Sequence, residues 1–284
     1  MTVGGVTEGF ALAADGVAIR TMRWPPQQPS WASVLLVHGV GEHAGRYDQV
    51  AQQMAAAGIE VHAYDHRGFG ASGGPRSYVE RWPILHDDLD VRLADVRAST
   101  PDLPLVLYGH SMGGLIALGH VLATPPRPLP DLLILTSPGL DSTIAGWKQA
   151  LAPILSRVAP RLRIPNGFHA GDLSRDPRVD ERVTADPLCI GSSTTRLGAE
   201  AFGEQARVRA LLATRDSLPV PTYVIHGADD PIVPVAASSI LEGCANVTRR
   251  IYPGLRHETH NEPEGEAVVG DTIAWIRRAV TNRS

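Results

Sequence analysis

The pentapeptide Gly109-His110-Ser111-Met112-Gly113 constrains this chain more than any other segment. A short apolar run, Leu105-Val106-Leu107-Tyr108, leads into it, and Gly114-Leu115-Ile116-Ala117-Leu118 follows as a helix would begin. A strand that turns sharply into a helix needs glycines where a side chain would strike the neighbouring backbone. The turn lifts the hydroxyl of Ser111 out of the sheet, and the free N–H groups of the new helix point at the same spot. A bare Gly-x-Ser-x-Gly arises by chance in a glycine-rich chain. The strand before it and the helix after it mark Ser111 as a candidate nucleophile.

The flanking sequence extends this unit in both directions. Residues 8–24 read as two short strands around Ala14-Asp15-Gly16. Val34-Leu35-Leu36-Val37 is a continuous apolar run, as in a strand buried on both faces. A helix over 47–57 ends at Gly58, a strand covers 60–64, and an acidic amphipathic helix over 82–98 carries Leu85, Leu89 and Val96 on one side. Strand 105–108, helix 114–123 and strand 132–136 follow. The alternation stops near Leu140. Residues 141–216 show no clear strand, many turn signals and two or three helical pieces. It resumes with strand 222–225, helix 235–242, strand 248–252 and a last helix over 264–280. The pattern predicts an α/β fold with a mostly parallel eight-stranded sheet and helices on both faces. Its core spans residues 1–140 and 217–284. A helical cap, 141–216, is inserted between two core strands, over the edge where ligands bind in such sheets.

Bulk properties narrow the function. At 284 residues and 43% hydrophobic content the chain suits one large domain with a substantial core, and a net charge of −4 offers nothing to nucleic acid. No run of about 18 apolar residues is present, and residues 1–20 lack the basic-then-apolar order of a secretory leader. The two cysteines, Cys189 and Cys244, have no metal-like spacing; as free thiols they suit a reducing compartment, so a cytoplasmic location is expected. Gly68-Phe69-Gly70-Ala71-Ser72-Gly73 matches a dinucleotide fingerprint letter for letter, yet Gly74-Pro75 stands where a helix must open. His257-Glu258-Thr259-His260 spaces its imidazoles by three, not by the four that joins them on one helical face. Neither cofactor nor metal is expected. The run Pro125-Pro126-Arg127-Pro128-Leu129-Pro130 reads as a stiff surface connection, and no protein partner is signalled.

A serine hydroxyl needs a base to take its proton, and the base needs a group to orient it. On α/β-hydrolase scaffolds these follow in the order Ser, Asp/Glu, His, each on a loop after a strand. His226-Gly227-Ala228-Asp229-Asp230 follows strand 222–225, and Arg256-His257-Glu258 follows strand 248–252. His257 is the expected base and Asp230 its orienter. Asp229 competes for that role, since loop acids also cap turns; Pro231 and Ile232-Val233-Pro234 after Asp230 favour the latter. His38, His66 and His226 lie at strand ends, where turn hydrogen bonding is the default. A tetrahedral intermediate needs two N–H donors. Met112, just after the nucleophile, is one expected donor. Val40, in His38-Gly39-Val40-Gly41 after strand 34–37, is the other; it acts through its backbone, so its side chain is free to vary.

These motifs carry a resemblance. His38-Gly39-Val40-Gly41-Glu42-His43 with Arg46-Tyr47, Asp65-His66-Arg67-Gly68-Phe69-Gly70-Ala71-Ser72, Gly109-His110-Ser111-Met112-Gly113-Gly114, and His257-Glu258 with Asn261-Glu262 resemble the monoacylglycerol lipases. That family belongs to a serine-hydrolase group that also holds lysophospholipase-like proteins. The likeness covers about residues 30–140 and 218–280; in the cap it is confined to Ser174-Arg175-Asp176-Pro177 and Asp186-Pro187-Leu188. It implies hydrolysis of a long-chain monoacylglycerol to fatty acid and glycerol, a cap with an apolar acyl tunnel, and a small polar pocket for glycerol. The positions matching the family's glycerol contacts are Glu42, Arg46 and His260. Glu42 and Arg46 could equally brace the loop as a mutual ion pair, and His260 could cap the last helix. A lysophospholipase or broad carboxylesterase is the nearest alternative. A catalytically idle ligand-binding relative is the remote one.

Ile144, Trp147, Leu151, Leu155 and Val158 recur at helical spacing, and Lys148, Arg157, Arg161 and Arg163 make the same stretch basic. Such a helix can lie on an anionic lipid surface through Ile144, Trp147 and Leu151, giving peripheral membrane contact. It can also pack down on the core.

Overall fold

The computed structural model describes residues 2–3 and 5–282. Met1, Gly4, Arg283 and Ser284, inside the two expected core ranges, lie outside the described residues. The first part of the chain runs β1 (Thr2–Val3), β2 (Val6–Leu12), β3 (Ala18–Trp24), β4 (Ala32–Val37), α1 (Asp48–Ala56), β5 (Ile59–Tyr64), α2 (Pro83–Ser99), β6 (Leu105–His110), α3 (Met112–Val121) and β7 (Leu132–Thr136). Then come α4 (Gly146–Val158), β8 (Arg163–Pro165), α5 (Pro177–Ala185), β9 (Ser192–Thr194) and α6 (Thr195–Leu212). The chain returns to the sheet with β10 (Thr222–Gly227), β11 (Val247–Tyr252) and α7 (Gly265–Thr281).

The main sheet has the order β1-β2-β3-β5-β4-β6-β7-β10-β11. From β5 to β11 the pairs are parallel; β1, β2 and β3 add on antiparallel. The eight expected strands are joined by a ninth among the described residues, the two-residue β1 at the edge. The continuous apolar runs serve both faces, because successive side chains of a strand point to opposite sides. Leu35, Val37, Leu105 and Leu107 pack with α2 and α3. Val34, Leu36, Val106 and Tyr108 pack on the other face with α1 and α7. Every residue of α3 is buried, so this helix is enclosed all round rather than striped, with His120 its one polar side chain.

Two expectations about local structure need correcting. Residues 235–241 form a 3₁₀ helix, not an α-helix. Ser238 and Ser239 return their hydroxyls to the carbonyls of Val235 and Ala236 (3.1 and 2.7 Å), and such local bonds compete with the α-helical ladder. Residues 141–216 do contain strands: β8 and β9 pair antiparallel over three residues each. All of β8 is exposed, so no alternation of apolar and polar residues marked it. No helix among the described residues is long and apolar enough to cross a membrane.

Candidate active site

Parallel strands deliver their following loops to one edge of the sheet, and four of those loops build the site. The loop after β6 is the tightest. A Cβ on Gly113 would stand 2.1 Å from the carbonyl oxygen of Val37, and one on Gly109 would stand 2.5 Å from that of Gly113. Both distances are impossible, so only glycine lets α3 start this close to β4 and β6. Ser111 between them is held at φ 51°, ψ −118°. A non-glycine residue there stores about 1–3 kcal/mol of strain, which the surrounding sheet sustains. Ser111 N donates to Thr136 O (3.0 Å) and Ser111 O accepts from Gly139 N (2.9 Å), pinning the turn to the strand beside it.

The serine hydroxyl meets an imidazole and a carboxylate in line. His257 Nε2 lies 3.0 Å from Ser111 Oγ, and His257 Nδ1 lies 2.8 Å from Asp230 Oδ2. Asp230 is buried whereas Asp229 is exposed, so Asp230 is the acid that reaches the ring. Its second oxygen accepts from Ile232 N and Val233 N, both at 2.9 Å. His226 Nε2 lies 3.2 Å from Oδ2 as well as 3.0 Å from Val233 O, while its Nδ1 faces Ser238. Burial by itself would raise the Asp230 pKa; the His257 charge and these hydrogen bonds outweigh it and hold the carboxyl below the usual range. Burial pulls the His257 imidazole down, but the Asp230 carboxylate more than offsets it, and the ring ends above its ordinary value of 6.5. Asp230 accepts a hydrogen bond from Nδ1–H, which leaves the Nε2 lone pair facing the serine. Ser137, itself at φ 42°, donates its hydroxyl to His257 O (2.8 Å) and fixes the His257 backbone from behind.

A cavity of about 290 Å³ opens over this line. Ser111, His257 and Val40 belong to its wall, and Met112 begins α3, where first-turn N–H groups have no partner within the helix. Residues of the inserted segment, among them Asn166, Phe168, Leu173, Asp186 and Ile190, supply the facing wall. That segment grips the site loops at both ends. Ile190 N donates to Gly41 O (2.7 Å), and Glu258 N donates to Leu173 O (2.8 Å). Glu262 accepts from Arg175 N (3.0 Å) and Arg256 N (2.6 Å), tying residues 174–175 to the His257 loop.

Glu42 and Arg46 both line the cavity, and they are also an ion pair (2.6 Å). The pair is part of a larger buried network that sequence reasoning missed. The Arg46 guanidinium forks onto both oxygens of Glu258, 2.6 and 2.7 Å away. Glu42 Oε1 accepts from Gly39 N (2.5 Å) and Tyr47 Oη (2.6 Å), which ties it to the loop that carries Val40. Burial pushes Glu42 upward in pKa; burial also opposes ionisation of Glu258, but Arg46 holds that carboxyl well below the usual range. His260 does not reach the cavity wall. It is buried behind His110, stacked on Tyr47 with ring centroids 5.0 Å apart, and neither ring nitrogen has a hydrogen-bond partner among the described residues. Burial lowers its pKa to about 4. The three-residue step from His257 carries its ring inward past His110, rather than out to solvent or to the helix end.

His43, Asp186 and Cys189 bring ligand-type atoms within 4.8 Å of one another. Their bonding disfavours a cation. His43 Nδ1 accepts from Gly45 N (3.1 Å), so its Nε2–H donates to Asp186 (2.8 Å) and no lone pair is free. Burial pushes the Cys189 thiol up to about 12, far from the thiolate a metal would need. The Gly68–Gly73 run wraps a carboxylate instead of a dinucleotide: Asp65 accepts from Ala44 N (2.9 Å) and Ala71 N (2.8 Å).

Comparison with known proteins agrees with this geometry. Residues 28–264 match the model of the Serine aminopeptidase, S33 family. A monoacylglycerol lipase of Mycolicibacterium smegmatis is 34% identical over 269 residues, 92% of this chain and 93% of that protein. The phospholipase YtpA of Bacillus subtilis is 30% identical over 250 residues, 86% of this chain and 94% of that protein. The crystal structure of the Paleococcus ferrophilus monoacylglycerol lipase superposes with a TM-score of 0.79 at 28% identity, covering 93% of this chain and 98% of that one. With its α/β-hydrolase sheet and a family match spanning most of its length, this chain belongs to the Serine aminopeptidase, S33 family of hydrolases.

Proposed function

We propose that this chain is a carboxylic ester hydrolase that cleaves monoacylglycerols to fatty acid and glycerol through an acyl-enzyme on Ser111. The observation that carries it is the hydrogen-bonded line Ser111–His257–Asp230 at the floor of a 290 Å³ cavity. Ser111 Oγ attacks the ester carbonyl while His257 Nε2 takes its proton, and Asp230 stabilises the imidazolium that forms. The N–H groups of Val40 and Met112 hold the oxyanion. His257 then protonates the departing alcohol and later activates water to release the acid. Residues 141–216 act as the cap that closes the cavity, with residues 1–140 and 217–284 as the core. Glu42 and Arg46 offer polar atoms to the alcohol end of the substrate and brace the Val40 loop at the same time. His260 supports them from behind through Tyr47.

Relatives named monoacylglycerol lipase favour the glyceride, and the Bacillus phospholipase keeps a lysophospholipase activity as the second reading. The cap also offers a lipid-facing surface. Ile144, Trp147, Leu151 and Val158 are exposed, Trp147 at 65% and Val158 at 80%, and Ser156 is the only buried residue of α4. This favours peripheral contact with a lipid surface over packing on the core.

Hydrolysis of 2-oleoylglycerol and of lyso-oleoyl-phosphatidylcholine by wild type and Ser111→Ala tests the proposal. Preference for the glyceride, lost in the variant, is the expected result. Equal or reversed preference would retire the glyceride reading. Absence of fluorophosphonate labelling at Ser111 in folded protein would retire catalysis altogether.

A further inference from the structure

The alcohol end of the cavity has a charge pattern that bears on substrate choice. Its charged lining residues are Glu42, Arg46, Asp186 and Glu258, beside the His257 imidazole. Arg46 is the only lysine or arginine among the described lining residues, and its single positive charge already faces the carboxylates of Glu258 and Glu42. Among the described lining residues no guanidinium or ammonium without a carboxylate partner remains to neutralise a phosphate, as sites for phosphate esters normally do. The N-terminus of α3 faces Ser111, where the ester oxyanion forms, and is committed there.

Asp186 adds a third carboxylate around the one guanidinium of the fork, whose attraction it shares with Glu42 and Glu258. It is the C-cap of α5, so the negative end of that helix points to the same place. Its side chain is 30% exposed at the cavity wall, held by His43 Nε2 on one oxygen and Leu188 N on the other, both at 2.8 Å. Burial would raise its pKa, but these hydrogen bonds prevail and keep the carboxyl below its ordinary value. A phosphate brought to about 6 Å from such a carboxylate is disfavoured by roughly tenfold per charge pair, even at an effective dielectric of about 40.

Resting on the ester-hydrolase reading, we propose that this end of the cavity is an acidic lip. It admits esters of neutral alcohols and turns away esters of phosphorylated alcohols, and Asp186 is its specificity-determining residue. A water-soluble pair, glycerol monobutyrate and its glycerol phosphate counterpart, tests this free of micelle charge. Kcat/KM for both is measured in wild type, Asp186→Asn and Thr184→Lys. Thr184 is an exposed lining residue, so that variant adds a cation while leaving every Asp186 contact in place. The wild type should favour the neutral ester by about a hundredfold or more, less so at high salt. Each variant should shift the ratio toward the phosphate ester by about tenfold. A wild type that cleaves the pair alike, or a ratio that stays within about twofold in both variants, overturns the acidic lip. Turnover of 2-oleoylglycerol, measured in parallel, reports on the glyceride reading separately: its absence, with the charge dependence intact, would sink only that reading.

Discussion

Helices α2 and α4 carry the same sequence signal and use it in opposite ways. Both space apolar residues three or four apart. In α2, Leu85, Leu89, Leu93 and Val96 are buried against the sheet. In α4, Trp147, Leu151, Ile154 and Val158 face outward, and Ser156 is the one buried residue. Periodicity says that a helix has an apolar face; it does not say what that face meets. The wider contrast is between the sheet core, whose apolar residues find one another, and the inserted segment, where α6 joins that core through Leu197, Val208 and Leu212 while the cavity rims are tied down by polar bonds. Ile190 N to Gly41 O and Arg175 to Glu262 are the ties. The segment therefore shapes the cavity while leaving an apolar surface open.

That contrast can be broken by experiment. The largest expected effect belongs to the core edge: Ser111→Ala should cut kcat by about 10⁴-fold or more with the thermal midpoint little changed, read by ester turnover and calorimetry. An equally large loss from a change in α4 would erase the division of labour. Next comes the buried fork. Arg46→Ala leaves Glu42 and Glu258 facing each other unpaired and should cost about 3–5 kcal/mol in urea unfolding. A loss below about 1 kcal/mol would mean that the segment, not the network, holds the Val40 loop. The pH profile is a smaller effect. His257 must be neutral to accept the Ser111 proton, and its pKa lies above 6.5, so kcat/KM should fall tenfold per unit as pH drops through a value above 6.5. A limb below that value would contradict the influence of Asp230. Smallest in stability is Trp147→Asp, expected to stay within about 0.5 kcal/mol of wild type because the ring is already in water. The same substitution should abolish flotation with anionic vesicles; unchanged flotation, or none by the wild type, removes the lipid-surface role.

The fold was largely legible because its cues are local. Continuous apolar runs, glycine stops and strand–helix alternation all act within about ten residues, and they place Ser111, Asp230 and His257 on loops at one edge of the sheet. The wall of the cavity was not legible. Asp186-Pro187-Leu188 stood out only as a loose likeness, and nothing near Asp186 in sequence announces His43 as its partner, 143 residues away. Glu258 was passed over beside His257, although it receives the Arg46 fork from 212 residues away. His260 looked available for a ligand, yet the path of the chain buries it behind His110.

The sequence by itself determined the parallel α/β sheet, the strained serine turn and the loops that carry Ser111, Asp230 and His257, because backbone sterics and hydrophobic periodicity are written residue by residue. Only the tertiary structure decided which carboxylates share Arg46, where Asp186 stands, and that the apolar face of α4 looks outward. Those outcomes depend on which distant surfaces meet, and on whether burial leaves a charge with a partner.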